Sequence, residues 1–196
     1  MAKFYSSSNV YNFDWDQVSA IYWKKYPNPY SPHVLTEDVI ERKVVDRKLI
    51  TTRLLKKTNK LPRWGEKLLP LNSSAYIVEE SIVDPVNKKL TTYTRNITLT
   101  KWLLLEEKCE YYPCSQNSNW TICKRYAWIS SSMFGLAPAL KAFGYERFKS
   151  NASKAIKGLS YALKKSSESD NSQYQYIMAH GSNNQPIFDP PKATCT

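Results

Sequence analysis

The sequence predicts an α+β fold: one curved, seven-stranded antiparallel sheet covered by a long C-terminal helix, with a short N-terminal helix. Three observations carry this. Strand-like stretches of eight to eleven residues follow one another across short turns, which favours antiparallel pairing. Near the C-terminus, Phe148, Ala152, Ala155, Leu159 and Leu163 recur at the 3.6-residue period of a helix. The 196 residues are 42% hydrophobic and 13% aromatic, enough to build a core on one domain.

The elements read in order as follows. Lys3 to Tyr11 is a first strand. Trp15 to Lys25 is a helix, with Asp14 placed to cap it and Gln17 at capping-box spacing. Its apolar residues Trp15, Val18, Ile21 and Tyr22 share a face. Pro27, Pro29 and Pro32 make Tyr26 to His33 an extended, stiff connector. Val34 to Val44 and Lys48 to Lys57 are strands joined near Asp46. Tyr76 to Val83 and Lys89 to Ile97 flank the turn Asp84-Pro85-Val86-Asn87-Lys88. Trp102 to Tyr112 and Trp120 to Ser130 are the last pair. The long helix runs from Pro138 to Lys165. Beyond it, Ser166 to Thr196 is rich in Ser, Asn, Gln and Pro, and is expected to be a disordered tail to a domain of residues 1–165.

Charge is concentrated. The chain carries +11 overall, which calls for a polyanionic partner, nucleic acid or an anionic membrane. Ile40 to Arg63 holds nine basic and two acidic residues, and Pro138 to Lys165 holds seven and one. On the strand, Thr51, Arg53, Leu55 and Lys57 point one way, a face both apolar and cationic. On the helix, Arg147 and Lys154 are seven apart and border the apolar stripe. Their stems can pack on apolar neighbours while their heads reach between helix and sheet. Plain solvated lysines are the competing reading. The segment Leu61 to Pro70 places Trp64, Leu68 and Leu69 beside Arg63 and Lys67, between two prolines. A loop this apolar either tucks onto the core or meets a membrane interface.

Other chemistries have no visible seat. No GxSxG, HExxH or P-loop is present, and five Gly and two His argue against nucleotide loops and histidine metal sites. No cofactor and no metal are expected. Cys109, Cys114, Cys123 and Cys195 fit no CxxC zinc pairing. A disulfide among the first three is possible by count, and free thiols are the ordinary reading. No run of about 18 apolar residues occurs that would span a membrane. Met1 to Asn9 resembles neither a secretory signal nor an Arg-rich transit peptide.

Several segments together resemble the PRELI/MSF1 family. They are Lys25-Tyr26-Pro27-Asn28-Pro29-Tyr30-Ser31-Pro32-His33-Val34-Leu35, the run Thr52 to Trp64, Glu80 to Pro85, Thr92 to Asn96, and Arg147 to Asn151. The likeness covers Met1 to Lys165 in matching order and is strongest to the PRELI branch. It implies a lipid cavity under the helix and a carrier, not an enzyme, that moves phosphatidic acid from the outer to the inner mitochondrial membrane for cardiolipin synthesis. It also implies residence in the intermembrane space, transient contact with anionic membranes and a heterodimer with a small twin-CX9C protein. The headgroup residues it implies are Arg53, Lys57 and Lys154, with Arg147, His33 and Lys25 around the same cavity. The family's lid falls on Pro62 to Pro70, and so on Arg63, Trp64, Lys67, Leu68 and Leu69. Three alternatives stay open: phosphatidylserine as cargo, a basic nucleic-acid-binding module stacking bases on Tyr93, Trp102, Trp120 and Trp128, and a membrane-surface protein without transfer activity.

Overall fold

The structure, a computed structural model, describes residues 1–58 and 74–180. Its strands are β1 (Lys3–Tyr11), β2 (Val34–Val45), β3 (Lys48–Thr58), β4 (Ser74–Asp84), β5 (Lys89–Asn96), β6 (Leu104–Pro113) and β7 (Thr121–Ser130). They form one seven-stranded sheet in the order β1-β7-β6-β5-β4-β3-β2, every pair antiparallel. Helix α1 (Trp15–Ile21), a 3-10 turn (Tyr22–Lys24) and the long helix α2 (Ala137–His180) complete the fold. The predicted α+β architecture is the one observed.

Local chemistry explains the turns. Between β2 and β3, Asp46 and Arg47 both take positive φ, 49° and 62°, the signature of a two-residue hairpin that matches strand twist. Between β4 and β5, the Asp84 carboxylate accepts from the Asn87 backbone N–H at 3.0 Å and its Nδ2 at 2.9 Å. Asp14 caps α1 by accepting from the Gln17 N–H at 2.7 Å.

Two clusters pack the sheet's inner face. Tyr11, Trp15, Val18, Tyr22, Leu90, Tyr111, Leu159 and Leu163 bind α1 and α2 to the middle strands. Ala127, Ile129, Phe148 and Ala152 bind α2 to β7. The helical stripe read from the sequence is therefore the buried face. Cys109, Cys114 and Cys123 are free thiols.

Three readings change. Trp102 and Leu103 belong to a turn, because Asn96 donates from Nδ2 to the Thr98 and Leu103 carbonyls, both at 2.8 Å, and accepts from the Leu105 N–H. The proline-rich connector is a series of turns, not an extended run: the Asn28 amide donates to the Lys25 carbonyl at 2.6 Å and accepts from the Tyr30 N–H at 2.9 Å. Finally, α2 continues through His180, past the Lys165 end that the apolar stripe marks. Neither Gly nor Pro intervenes between Leu159 and His180. The Ser169 and Ser172 hydroxyls bond back to the Lys165 and Glu168 carbonyls, so they are satisfied within the helix and do not draw the backbone into turns. Residues 166–180 are thus helical instead of disordered, while residues 181–196 lie outside the described residues.

The chain divides into two compact units, Met1–Leu163 and Lys164–Thr196. Among the described residues, no helix is long and apolar enough to cross a membrane.

Two helix glycines meet different neighbours. A Cβ on Gly144 would approach the flexible methyls of Leu103 at 2.8 Å, whereas one on Gly158 would strike the Asn28 amide at 2.8 Å. Asn28 is fixed by its two hydrogen bonds and cannot retreat. Gly144→Ala should fall near neutral, since a helix gain of about 1 kcal/mol offsets the crowding, while Gly158→Ala should destabilise by about 1–2 kcal/mol. Denaturant titration of both variants checks the order, and equal stabilities would contradict it.

Candidate functional site

The inner face of the sheet, the connector and α2 enclose a cavity of about 250 Å³. Leu99, Trp102, Leu103, Leu105, Leu140, Phe143 and Phe148 give it an apolar wall. Tyr22, Lys25, Tyr26, His33, Lys57 and Glu79 make a polar wall, and α2 adds Arg147 and Asn151. Arg125 and Glu107 lie on the sheet floor, where Nη1 of Arg125 donates to Glu107 at 2.6 Å and the Cys109 thiol donates to the same oxygen at 3.3 Å. The described lining thus holds four cations, Lys25, Lys57, Arg125 and Arg147, against two carboxylates.

The strand pattern positions the centre of this array. Thr51, Arg53, Leu55 and Lys57 all point inward, and β4 places Glu79 directly across from Arg53. Glu79 is buried and saturated. Oε1 accepts from Arg53 Nε at 3.2 Å and again from Nη2, while Oε2 accepts from the Tyr22 hydroxyl at 2.8 Å and Lys25 Nζ at 3.2 Å. Burial disfavours its charge, but Lys25, Arg53 and the donated hydrogen bonds outweigh that and hold the pKa down to about 2. Lys25 also sits 3.7 Å from the centroid of the Tyr22 ring. Burial draws its pKa down to about 8, Glu79 resisting, Arg53 and Lys57 assisting.

The six expected headgroup residues separate. Lys25, His33, Lys57 and Arg147 line the cavity. Arg53 does not: it lies 2% exposed behind the Tyr22 ring, paired with Glu79 and, at 2.8 Å, with Glu37. Lys154 is exposed at the border of the stripe, with Ala152 and Ala155 making the inward side of its turn. Its charge still reaches His33. Lys57 forms no ion pair among the described residues, and burial lowers its pKa, with Arg125 and Arg147 adding to the effect and Glu107 and Glu79 opposing it. His33 is pushed from 6.5 down to about 4 by burial and then by Lys57, Lys154 and Arg147, so it is neutral at neutral pH. Arg63, Trp64, Lys67, Leu68 and Leu69, the expected lid, lie outside the described residues.

Sequence reasoning missed Glu79, Glu107, Arg125 and Tyr22. A cross-strand search for carboxylates at inward positions opposite Arg53 would have found Glu79, but it requires the β3–β4 register.

Comparison with known proteins follows the same outline. The PRELI-like family matches residues 16–169. The chain is 51% identical over 168 residues to PRELI domain-containing protein 1, mitochondrial, of Mus musculus, covering 84% of this chain and 77% of that one. The Homo sapiens protein of that name is 50% identical over the same shares. Protein UPS1, mitochondrial, of Saccharomyces cerevisiae is 34% identical over 89% of this chain and its own full length. Among solved structures, a START superfamily protein from Mycobacterium smegmatis aligns with a TM-score of 0.51 at 13% identity, covering 83% and 97% of the two chains. An aromatase/cyclase from Streptomyces aligns at 0.59 with 7% identity, covering 84% and 95%. At such identities the likeness is one of fold.

The His33 environment can be tested directly. Because its folded pKa lies below the unfolded one, keeping it neutral adds stability that fades as pH falls from 6.5 towards 4. Removing a nearby cation must raise that pKa. Lys57→Met is expected to move the His33 titration upward by half a unit or more, read from imidazole proton shifts; an unmoved midpoint would place Lys57 elsewhere.

Proposed function

Because this chain belongs to the PRELI-like family, we propose that it is a mitochondrial phospholipid carrier whose cargo is phosphatidic acid. One observation carries the reading: a cavity with an apolar wall faces Lys57, which forms no ion pair among the described residues, in a lining of four cations and two carboxylates. A phosphomonoester bears between one and two negative charges near neutral pH, which suits that excess. The apolar wall takes acyl chain, gaining roughly 0.8 kcal/mol per buried CH₂. Arg147 supplies a planar, bidentate donor and Lys57 a point charge. Neutral His33 can donate from one nitrogen and accept at the other without adding repulsion.

Phosphatidylserine, the runner-up cargo, brings an ammonium that needs a free carboxylate. Glu79 already accepts four hydrogen bonds, and Glu107 is paired with Arg125 through Oε1, so among the described residues only its Oε2 is open to such an ammonium. The nucleic-acid reading needs cations and aromatics together on one exposed face. Tyr93, Trp120 and Trp128 are exposed. Around Tyr93 and Trp128, however, lie Glu80 and Glu106 as well as Arg95 and Lys108, a mixed surface. We further propose the intermembrane space as its compartment, a small twin-CX9C helical protein as its partner and transient contact with anionic membranes.

Fluorescent phosphatidic acid transfer between liposomes, with protein co-expressed with that partner, tests this. Lys57→Gln should keep the fold and lower phosphatidic acid transfer more than tenfold. Arg53→Gln should instead cost about 3 kcal/mol of stability by leaving Glu37 and Glu79 short of a partner. Full transfer by folded Lys57→Gln would remove Lys57 from the headgroup site, and transfer of phosphatidylserine alone would change the cargo.

A further inference from the structure

Inside the cavity, Glu79 is an anion of the protein's own that occupies the cations before any cargo arrives. We infer that Glu79 is a resident counter-anion whose hold on Lys25 is exchanged for the lipid phosphate, so that it sets how readily cargo leaves. This rests on the reading of the cavity as a phosphomonoester site.

The two oxygens of Glu79 divide their work. Oε1 belongs to Arg53, which is 2% exposed and also anchored by Glu37. Oε2 is shared between Tyr22 and Lys25. Lys25, unlike Arg53, lines the cavity and keeps donor capacity beyond its one bond to Glu79. It is therefore the cation that can turn towards a phosphate while Arg53 stays fixed. A carboxylate within 3.2 Å of that ammonium competes with the incoming anion and also repels it, so binding is weakened by design of the charge array. For a carrier this matters, because cargo held too tightly is never delivered.

Removing the carboxylate charge has a defined consequence. In Glu79→Gln, the lining that meets the bound phosphate changes from four cations against two carboxylates to four against one. Arg53 retains Glu37 at 2.8 Å, and Lys25, with a pKa already near 8, can shed its proton in the empty state, so the fold has means to persist. Glu79 acts as a positioning residue, and the readouts must separate that from mere support of the fold.

The test uses full-length protein preloaded with phosphatidic acid and mixed with phosphatidylcholine vesicles that capture whatever is released. Glu79→Gln is expected to release phosphatidic acid about tenfold more slowly than wild type, and to gain more in melting temperature on loading than wild type gains. A carboxylate that only supports the fold would lower empty and loaded melting temperatures equally and leave release unchanged, and that outcome overturns the role. Glu79→Asp guards against a Gln variant that fails to fold. It keeps the charge but draws the carboxylate back by one methylene, too far to span Arg53 and Lys25 together. Release slower than wild type supports the exchange, and release at the wild-type rate overturns it. A wild-type protein that takes up no phosphatidic acid would overturn this inference and the cargo reading together, whereas wild-type release by both variants from a competent carrier overturns the Glu79 role alone.

Discussion

Cations gathered inside a protein repel one another and lose their hydration, and a cavity built from them stands only if an anion shares it. Here the Glu79 carboxylate is that anion. It joins Arg53 on the neighbouring strand, Lys25 at the end of the 3-10 turn and the Tyr22 hydroxyl at its start. The same contact that neutralises the charge fastens the N-terminal helical segment over the sheet. With Tyr22 fixed, its ring packs on Tyr111 and closes the core beneath the cavity. Glu107 and Arg125 repeat the arrangement on a smaller scale, and Lys57 is left without such a partner among the described residues.

The cavity owes its shape to a division of labour between sheet and helix. The sheet supplies inward side chains at every second position, charged and apolar in turn on β3 and β4, and apolar where the Asn96 turn delivers Leu99, Trp102 and Leu103. Helix α2 closes the space with a stripe that is apolar at Leu140, Phe148, Ala152 and Leu159, and cationic at its margin. The small residues Gly144 and Gly158 let the helix approach Leu103 and Asn28 closely. The cavity therefore sets an apolar wall against a charged one, built from residues far apart in sequence.

Several of the features are legible in the sequence. The face shared by Thr51, Arg53, Leu55 and Lys57 and the stripe of α2 are consequences of side-chain period alone, and both are buried as that period requires. The Asp14 cap and the turn at Asp46 follow from local backbone chemistry. The reading erred where local composition was asked to decide length or extension. A serine-rich segment reads as tail, yet its hydroxyls bond to the preceding turn of helix. A proline-rich segment reads as extended, yet one asparagine folds it into turns.

What the sequence determined by itself was periodicity, capping and the local excess of positive charge, because these depend on residues within a turn or two of one another. Which cations face the cavity was decided only in three dimensions. Arg53 and Lys57 are equivalent by period, four residues apart on one face, yet one is consumed by Glu37 and Glu79 and the other lines the cavity. The difference lies in the β3–β4 register, which sets Glu79 opposite Arg53 and Ala75 opposite Lys57. Register is fixed by the packing of the whole inner face, so it is a property of the assembled sheet and not of either strand.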